Sequence, residues 1–451
     1  MPVAVIPSAE EVHELIKQDR LGELQQLLAT SHPADIADLL DELPSREAVV
    51  VFGRLPLVTA SEVLDETGSL IRTELVREVD DEHLADILDE LPMDDAAEIL
   101  DELPDDVSYR LLDLMEPEEA EDVRTLLRFD EGTAGRLMTT EIASLRRQWT
   151  AAEAIERLHS LDEVETLVYL YVVDQENRLI GVVPIRSLLL AQPDEKVEDL
   201  MLSPAISVQA TADQEELAEE MAKYDYTAMP VVDQFNRLLG VVTVDDVLDV
   251  LEEEATEDFQ RFGGSLPLEQ PYFSVSPTSV FKKRIGWLLL LFGAGALTGL
   301  VTQKFEVVWG QYLVLAAFVP LIIGTGGNAG SQTIATIIRA ITVGEVRFST
   351  LLRAWRREIS VGLLLGLVMG ILGFVLAQIL WQAGWQVALA VALTLPLVVM
   401  WSTTVGTIVP IVADRIGIDP AVISGPMIST VVDVSGLIIY YSLAGLILGV
   451  L

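Results

Sequence analysis

Five apolar stretches crowd the C-terminal part of this chain, near residues 284–303, 312–340, 358–381, 387–412 and 420–450. Each is long enough to cross a hydrocarbon core of ~30 Å at ~1.5 Å per residue. Inside that core only helices and closed barrels satisfy the backbone, so these stretches are read as transmembrane helices. Within the last of them Asp433 stands alone among apolar neighbours, about 20 Å from Pro420 at helical rise. A charge at that depth costs at least ~2.5–3.5 kcal/mol and normally faces a partner or a water-filled path. The plainer alternative is an acid kept neutral or snorkelling to an interface. Asp433 is the first candidate pore residue.

The charge of the chain is divided sharply. Residues 281–451 hold 10 Lys and Arg against 6 Asp and Glu, whereas residues 1–280 hold 19 against 64. So acidic a block repels nucleic acid and attracts cations. Regular apolar positions run through it, which predicts folding rather than disorder. There is no cysteine, which excludes disulfides, thiolate metal sites and thiol catalysis. The N-terminus, MPVAVIPSAEEVHELIKQ, lacks a basic start followed by an apolar core, so the soluble part is expected to stay cytoplasmic. Lys282, Lys283, Arg284, Arg339, Arg347, Arg353, Arg356, Arg357 and Arg415 fall on one side of a five-span topology, and only Lys304 on the other. The positive-inside rule then predicts a multi-pass protein of the cell (plasma) membrane, with its N-terminus inside and its C-terminus outside.

Residues 1–133 read as short helices separated by a recurring phrase. LLDELP ends at Pro44, and ILDELP ends at Pro92 and again at Pro104. In each phrase an aliphatic pair faces inward, Asp-Glu faces water and Pro stops the helix. Such units cannot bury their apolar faces singly, which predicts an all-α stacked superhelix with rows of outward carboxylates, among them Asp94, Asp95, Glu98, Asp101 and Glu102.

A longer repeat follows. YVVDQENRLIGVVPIRSLL at 171–189 is answered by PVVDQFNRLLGVVTVDDVL at 230–248, with Asp174 and Asp233, and Gly181 and Gly240, 59 positions apart. Each copy reads as strand, turn, strand, helix, preceded by a helix: AAEAIERLHSL from Ala151 and EELAEEMAKY from Glu215. The pattern resembles an α/β tandem CBS pair over residues 134–253. Such pairs often bind adenosine nucleotides, and the second copy keeps the ribose-contacting pattern at Thr243 and Asp246. The first copy departs from it at Pro184 and Ser187. The resemblance thus supports at most one adenine nucleotide (ATP) site, with a purely structural role as the other reading.

Residues 254–280 form an acidic connecting helix and linker, and KKRIGW at 282–287 marks the membrane interface. The second span contains PLIIGTGGNAGSQT from Pro320, with Gly324, Gly326, Gly327 and Gly330 around Asn328 and with Ser331 and Gln332 behind. Glycines at this density are expected to break or loosen the helix and expose carbonyls to a cavity. Close packing through small residues is the competing use. A phosphate loop is excluded, since no Gly-Lys-Ser/Thr is present. Carboxylate, carbonyl and amide oxygens are hard ligands that suit Mg²⁺ or Ca²⁺. The histidines His13, His32, His83 and His159 are scattered, and no catalytic constellation is found, so no enzyme is expected.

An acidic helical domain, a CBS pair, an acidic connecting (plug) helix and five spans with GTGGN and a late Asp resemble the MgtE family of magnesium channels and transporters. The resemblance covers essentially the whole chain. It implies a homodimer with a central pore, in which Asp433, Asn328 and Gly327 meet a hydrated Mg²⁺. It also implies cytoplasmic Mg²⁺ sites that hold the gate shut. Matching positions are Asp94 and Glu98 in the helical domain, Asp213, Glu215, Asp225, Asp246 and Asp249 in the second CBS copy, and Glu254, Glu257 and Asp258 on the connecting helix. Ser331 and Gly425 stand where the family often has Asn, which leaves the choice among Mg²⁺, Mn²⁺ and Co²⁺ open. The rival readings are a divalent-cation exporter or antiporter, and a membrane-anchored nucleotide or Mg²⁺ sensor.

Overall fold

The computed structural model describes residues 6–159, 167–268, 272, 275–306, 310 and 312–450. Ser160 and Leu161 of the helix expected from Ala151, and residues 269–271, 273 and 274 of the expected connecting segment, lie outside them. The chain divides into two compact units, Met1–Glu254 and Ala255–Leu451.

The first unit begins with helices α1 (Ala9–Lys17), α2 (Leu21–Leu28), α3 (Pro33–Glu42), α4 (Ser45–Phe52), α5 (Leu57–Glu66), α6 (Ser69–Glu78), α7 (Asp81–Leu88), α8 (Met93–Asp101), α9 (Asp105–Leu114) and α10 (Pro117–Leu126). Helices two apart pack together: α3 on α5, α5 on α7, α7 on α9, α4 on α6 and α8 on α10. The recurring phrase explains the stacking. Leu39 and Leu40, Ile87 and Leu88, and Ile99 and Leu100 are all buried, as are the closing leucines Leu43, Leu91 and Leu103. The prolines act twice, for Pro44, Pro92 and Pro104 end one helix and cap the start of the next, where a missing N–H costs nothing.

Each CBS copy builds a three-stranded sheet. In the first, β1 (Ser144–Arg146) lies parallel to β2 (Tyr169–Val173), which is antiparallel to β3 (Leu179–Pro184). In the second, β4 (Val208–Gln209), β5 (Ala228–Val232) and β6 (Leu238–Thr243) repeat that order. The edge strands β1 and β4 escape a reading by alternation because they are three and two residues long. Helices α11 (Ala151–Leu158), α12 (Ile185–Leu190), α13 (Val197–Leu200) and α14 (Gln214–Tyr224) surround the sheets.

The two Asn-Arg turns match in detail. Asp174 Oδ1 accepts from the N–H groups of Glu176 (2.9 Å) and Arg178 (2.8 Å), and Asp233 Oδ1 from those of Phe235 and Arg237 (2.8 Å each). Asn177 and Asn236 both take φ 63°, a conformation Asn tolerates. Their amides cross the repeat: Asn177 Nδ2 donates to Leu238 O (3.2 Å) and Asn236 Nδ2 to Leu179 O (2.7 Å). The repeated turn is therefore also the seam between the copies.

A single helix, α15 (Val244–Phe262), closes the second copy and continues as the acidic connecting helix. The division drawn at 253/254 from sequence falls inside it.

The second unit contains α16 (Pro277–Lys304), α17 (Leu315–Thr342), α18 (Leu351–Ile379), α19 (Trp385–Arg415) and α20 (Gly425–Leu448). Among the described residues, α16, α18 with its preceding turn, α19 and α20 are long and apolar enough to cross a membrane. Helix α17, also 28 residues long, carries the Gly-Asn segment that dilutes its apolarity. The core of the unit gathers Phe318 and Ile322 of α17, Leu395 and Val398 of α19, and Ile428, Val432 and Tyr440 of α20. Helices α18 and α19 meet through small residues. A Cβ on Gly366 would stand 2.5 Å from Pro396 Cα, and one on Gly370 2.5 Å from Ala392 O. This is the close approach that small-xxx-small spacing permits in membranes.

Candidate functional site

Around the Gly-Asn segment the structure overturns one expectation. Helix α17 runs unbroken from Leu315 to Thr342 through Pro320 and all four glycines. Gly326, Gly327 and Gly330 serve contact, while Gly324 stays exposed. A Cβ on Gly326 would lie 2.7 Å from Val398 and 2.9 Å from Val432, and one on Gly330 2.6 Å from Ser402 Oγ. Ser402 Oγ donates to Gly326 O at 2.5 Å, giving that carbonyl a partner besides its helix. Missing side chains thus draw α19 and α20 onto α17, and the helix has no need to open.

That approach brings oxygen atoms together. Asp433 Oδ1 lies 3.8 Å from where a Gly327 Cβ would be, and Ser429 Oγ 3.3 Å from it. Ser429 Oγ also donates to Gly327 O at 3.5 Å and meets Ser331 Oγ at 3.2 Å. Asp433 is half-buried and forms no ion pair among the described residues. Asn328 and Gln332 are exposed one turn apart on α17, with Gly324 a turn before them. Chemically this is a carboxylate flanked by hydroxyls and a glycine backbone, a hard oxygen environment. The two unusual positions are neighbours: a Cβ on Gly425 would stand 3.6 Å from Ser331 Oγ and 3.4 Å from the Phe262 ring.

Phe262 ends α15, and beside it Arg261 anchors the same helix end. Arg261 Nη1 donates to Asp419 Oδ2 at 2.5 Å, and its other arm pairs with Glu257. The expected acidic face of the connecting helix is therefore partly neutralised, since an i, i+4 arginine answers Glu257. Glu254 accepts from Gln214 Nε2 at 2.8 Å.

In the first unit the structure sorts the other candidates. Asp213 caps α14 by accepting from Glu215 N at 2.9 Å, and Asp225 closes that helix at φ 54°. Asp213, Glu215 and Asp225 are exposed, while Asp94 is buried on α8. Glu98 falls within the field of Asp249 and of Glu102, with Arg72 Nη1 3.9 Å from Glu98 and 3.1 Å from Glu102. Asp246 Oδ2 accepts from Thr243 Oγ1 (2.7 Å) and N (3.2 Å), so the candidate nucleotide pair is preorganised by its own bonds.

Burial, only partly offset by those Thr243 bonds and reinforced by Asp245 and Asp249, pushes Asp246 up to about 6. Asp65, on α5, is likewise pushed up to about 6 by burial, with Glu98, Glu66 and Asp246 adding repulsion against the pull of Arg72. Among the described residues no three carboxylates and histidines are arranged to hold a metal ion. The cluster is gathered electrostatically without closing into a ligand cage.

Sequence reasoning passed over Asp65, Glu253, Arg72 and Arg136. Glu253 is raised by burial and by Glu98 and Asp249. Arg72 Nη2 donates to Asp65 O at 2.6 Å. Arg136 Nη2 donates to Ala97 O at 2.9 Å and pairs with Asp101 Oδ2 at 3.0 Å, and both arginines are buried. Their signal was present: in a region with 64 acids, each of 19 bases is a candidate counter-ion.

Three family models match the chain. MgtE, described as a divalent cation transporter, matches residues 319–443; the MgtE intracellular N domain matches 31–132; and the CBS domain matches 134–194 and 197–253. The chain is 37% identical to the magnesium transporter MgtE of Thermus thermophilus, over 98% of both proteins. It is 32% identical to the magnesium transporter MgtE of Bacillus subtilis, over 95% of both. A solved structure, the cytosolic domain of the Mg²⁺ channel MgtE in complex with ATP, superposes with a TM-score of 0.52 at 38% identity, covering 54% of this chain and 99% of that one. With end-to-end similarity to curated relatives and all three domain types in order, the chain belongs to the MgtE family of magnesium transporters.

Proposed function

We propose that this chain is a Mg²⁺ channel or transporter that admits the ion to the cytoplasm and is shut by cytoplasmic Mg²⁺. The observation that carries the reading is Asp433: a half-buried carboxylate on an apolar helix, without an ion pair among the described residues, set against the Gly327 backbone and the Ser429 and Ser331 hydroxyls. A membrane anchor requires none of these groups. Mg²⁺ dehydrates reluctantly, so one carboxylate with nearby oxygens suits an ion that keeps its waters. Two charges crossing 100 mV supply about 4.6 kcal/mol, enough for passive inward flux. Members of this family are ion transporters, not enzymes.

The finer assignments rest on the same frame. Asp433, Asn328 and Gly327 line the path, and a second copy of the chain completes it; the exposed row Gly324, Asn328 and Gln332 is the face such a partner would enclose. Five helices cross the membrane, with the N-terminal domains in the cytoplasm and the C-terminus outside. The functional division is 1–133, 134–253, 254–280 and 281–451.

Regulatory Mg²⁺ binds among Asp94, Glu98, Asp213, Glu215, Asp225, Asp246, Asp249, Glu254, Glu257 and Asp258. Carboxylates ~4 Å apart repel by up to ~4 kcal/mol at an effective dielectric of about 20, so divalent ions favour a closed arrangement. Adenine nucleotide binds at Thr243 and Asp246, as ATP does to the cytosolic domain named above.

Flux through the full-length protein in liposomes, with Mg²⁺ set separately on each side, tests the reading. Inward flux that needs Asp433 and falls as cytoplasmic Mg²⁺ rises is the expected result. Flux unaltered by Asp433→Ala would refute the pore assignment.

A further inference from the structure

The membrane unit carries a feature that cation transport leaves unused. Where the short turn Phe348–Thr350 enters α18, a cavity of about 320 Å³ is lined by Ser349, Thr350, Leu352, Arg353 and Arg356. It is an open surface groove, with Ser349, Leu352, Arg353 and Arg356 exposed along it. The polar lining has one sign: two guanidinium groups, two hydroxyls and no carboxylate.

Arg353 and Arg356 are three residues apart and share a helix face. Both are exposed, and neither forms an ion pair among the described residues. Residues 281–451 hold 10 Lys and Arg against 6 Asp and Glu, so these arginines stand where carboxylates are scarce, unlike Arg72, Arg136 and Arg261, which hold carboxylates. Thr350 Oγ1 is committed to Arg347, accepting from its N and donating to its O at 3.0 Å each. The Ser349 side chain is exposed and forms no hydrogen bond among the described residues.

The surroundings place the cavity at headgroup depth. Phe348 is exposed beside it, and Trp355, whose Nε1 donates to Thr404 Oγ1 at 3.2 Å, is of the residue type enriched at membrane interfaces. Further along α18 the apolar residues Leu364, Leu367 and Ile371 remain exposed. From Arg356 to Leu367 the helix descends about 16 Å at ~1.5 Å per residue, on the scale of an acyl chain.

We propose that this cavity binds the phosphate of an anionic membrane lipid, gripped by Arg353, Arg356 and Ser349, with its acyl chain along Leu364, Leu367 and Ile371. Guanidinium forks match phosphate oxygens bidentately, and basic pockets at helix ends recognise lipid headgroups in this manner. The continuous apolar stripe below the arginines favours a lipid over free phosphate. The site requires the membrane placement of α18 and is independent of which ion is carried.

The test is native mass spectrometry of the full-length protein titrated with phosphatidylglycerol, with phosphatidylcholine of the same chains, and with inorganic phosphate. Phosphatidylglycerol is expected to bind in preference to the other two. The double substitution Arg353→Gln/Arg356→Gln is expected to weaken it about thirtyfold, at the usual contribution of an interfacial arginine. Arg284→Gln, basic and interfacial but outside the cavity, is expected to change it less than about threefold.

Should the double variant not fold, Ser349→Glu places a negative charge in the cavity with both arginines intact, and a loss of about tenfold or more is expected. Equal phosphatidylglycerol affinity in the wild type and a folded variant would overturn the proposal. So would arginine-dependent binding of inorganic phosphate without binding of phosphatidylglycerol, which would make this a soluble-anion site.

Discussion

Asp433 forms no ion pair among the described residues, whereas Glu98 lies in the field of Arg72, Glu102, Asp249 and Arg136. On the proposed reading the membrane unit relies on one carboxylate, and the first unit on a crowd interleaved with the buried Arg72 and Arg136. A solitary acid in an apolar bundle is present at a cost that only function repays. A crowd shares its work, so each member is replaceable while the sum is not. The same contrast appears in shape. Around Asp433, glycines bring three helices within van der Waals reach, while around Glu98 the charges are held by long side chains.

The sharpest way to break this comparison is to remove one acid from each side. Asp433→Ala is expected to lower Mg²⁺ flux by about a hundredfold or more, equivalent to some 2.7 kcal/mol of barrier. Glu98→Gln is expected to change maximal flux less than about threefold and to move only the cytoplasmic Mg²⁺ concentration at which flux stops. Parallel liposome assays check both. Comparable losses from the two substitutions would erase the distinction between a single site and a distributed one.

Packing offers the next test. Gly366→Leu drives a side chain into the Pro396 backbone, and overpacking of this kind costs roughly 1–3 kcal/mol. Thermal unfolding of the purified protein is expected to drop by several degrees. Gly293→Leu, on α16 where a Cβ would meet nothing within 4 Å, is expected to leave it within about half a kcal/mol. A matching drop at Gly293 would mean that this face of α16 is covered rather than open to lipid.

Much of this was legible in the chain itself. The LDELP phrases and the 59-residue repeat are local patterns, and the helices, buried leucines and paired strands follow them. What resisted reading depends on partners distant in sequence. The continuity of α17 is decided by Val398, Ser402 and Val432, which fill the places that missing Cβ atoms leave, and no count of glycines reveals them. Likewise, Arg261 looks like one base on an acidic helix until Asp419, 158 positions away, is brought beside it. Strands β1 and β4 are too short for a period to register.

Buried counter-charge gives a smaller effect. Arg72→Ala removes the cation that sits between Glu98, Glu102 and the Asp65 carbonyl. Stability without Mg²⁺ is expected to fall by about 1–3 kcal/mol, the cost of unpairing partly buried polar groups. Millimolar Mg²⁺ is expected to restore more of it than in the wild type, since a divalent ion can replace the guanidinium. Unfolding midpoints with and without Mg²⁺ measure this, and a deficit that Mg²⁺ leaves untouched would mark Arg72 as packing alone.

The smallest effect concerns protons. Asp65 is raised from 3.8 to about 6 by burial and by Glu98, Glu66 and Asp246, against the pull of Arg72. A carboxyl raised on folding holds a proton that the unfolded chain has released. Its contribution is therefore full below pH ~4 and is lost as the pH rises through ~6. Asp246, raised to about 6 as well, acts in the same direction.

In Mg²⁺-free buffer the wild type is therefore expected to lose stability relative to Asp65→Asn between pH 5 and pH 7.5, because Asn carries no charge to repel its neighbours. Mg²⁺ is expected to shrink that difference at pH 7.5 and to do little at pH 5, where protons already occupy the cluster. A difference that is flat across this window would mean that Asp65 is well solvated in the folded protein. The crowd of acids in the first unit would then be no more coupled than a row of independent surface charges.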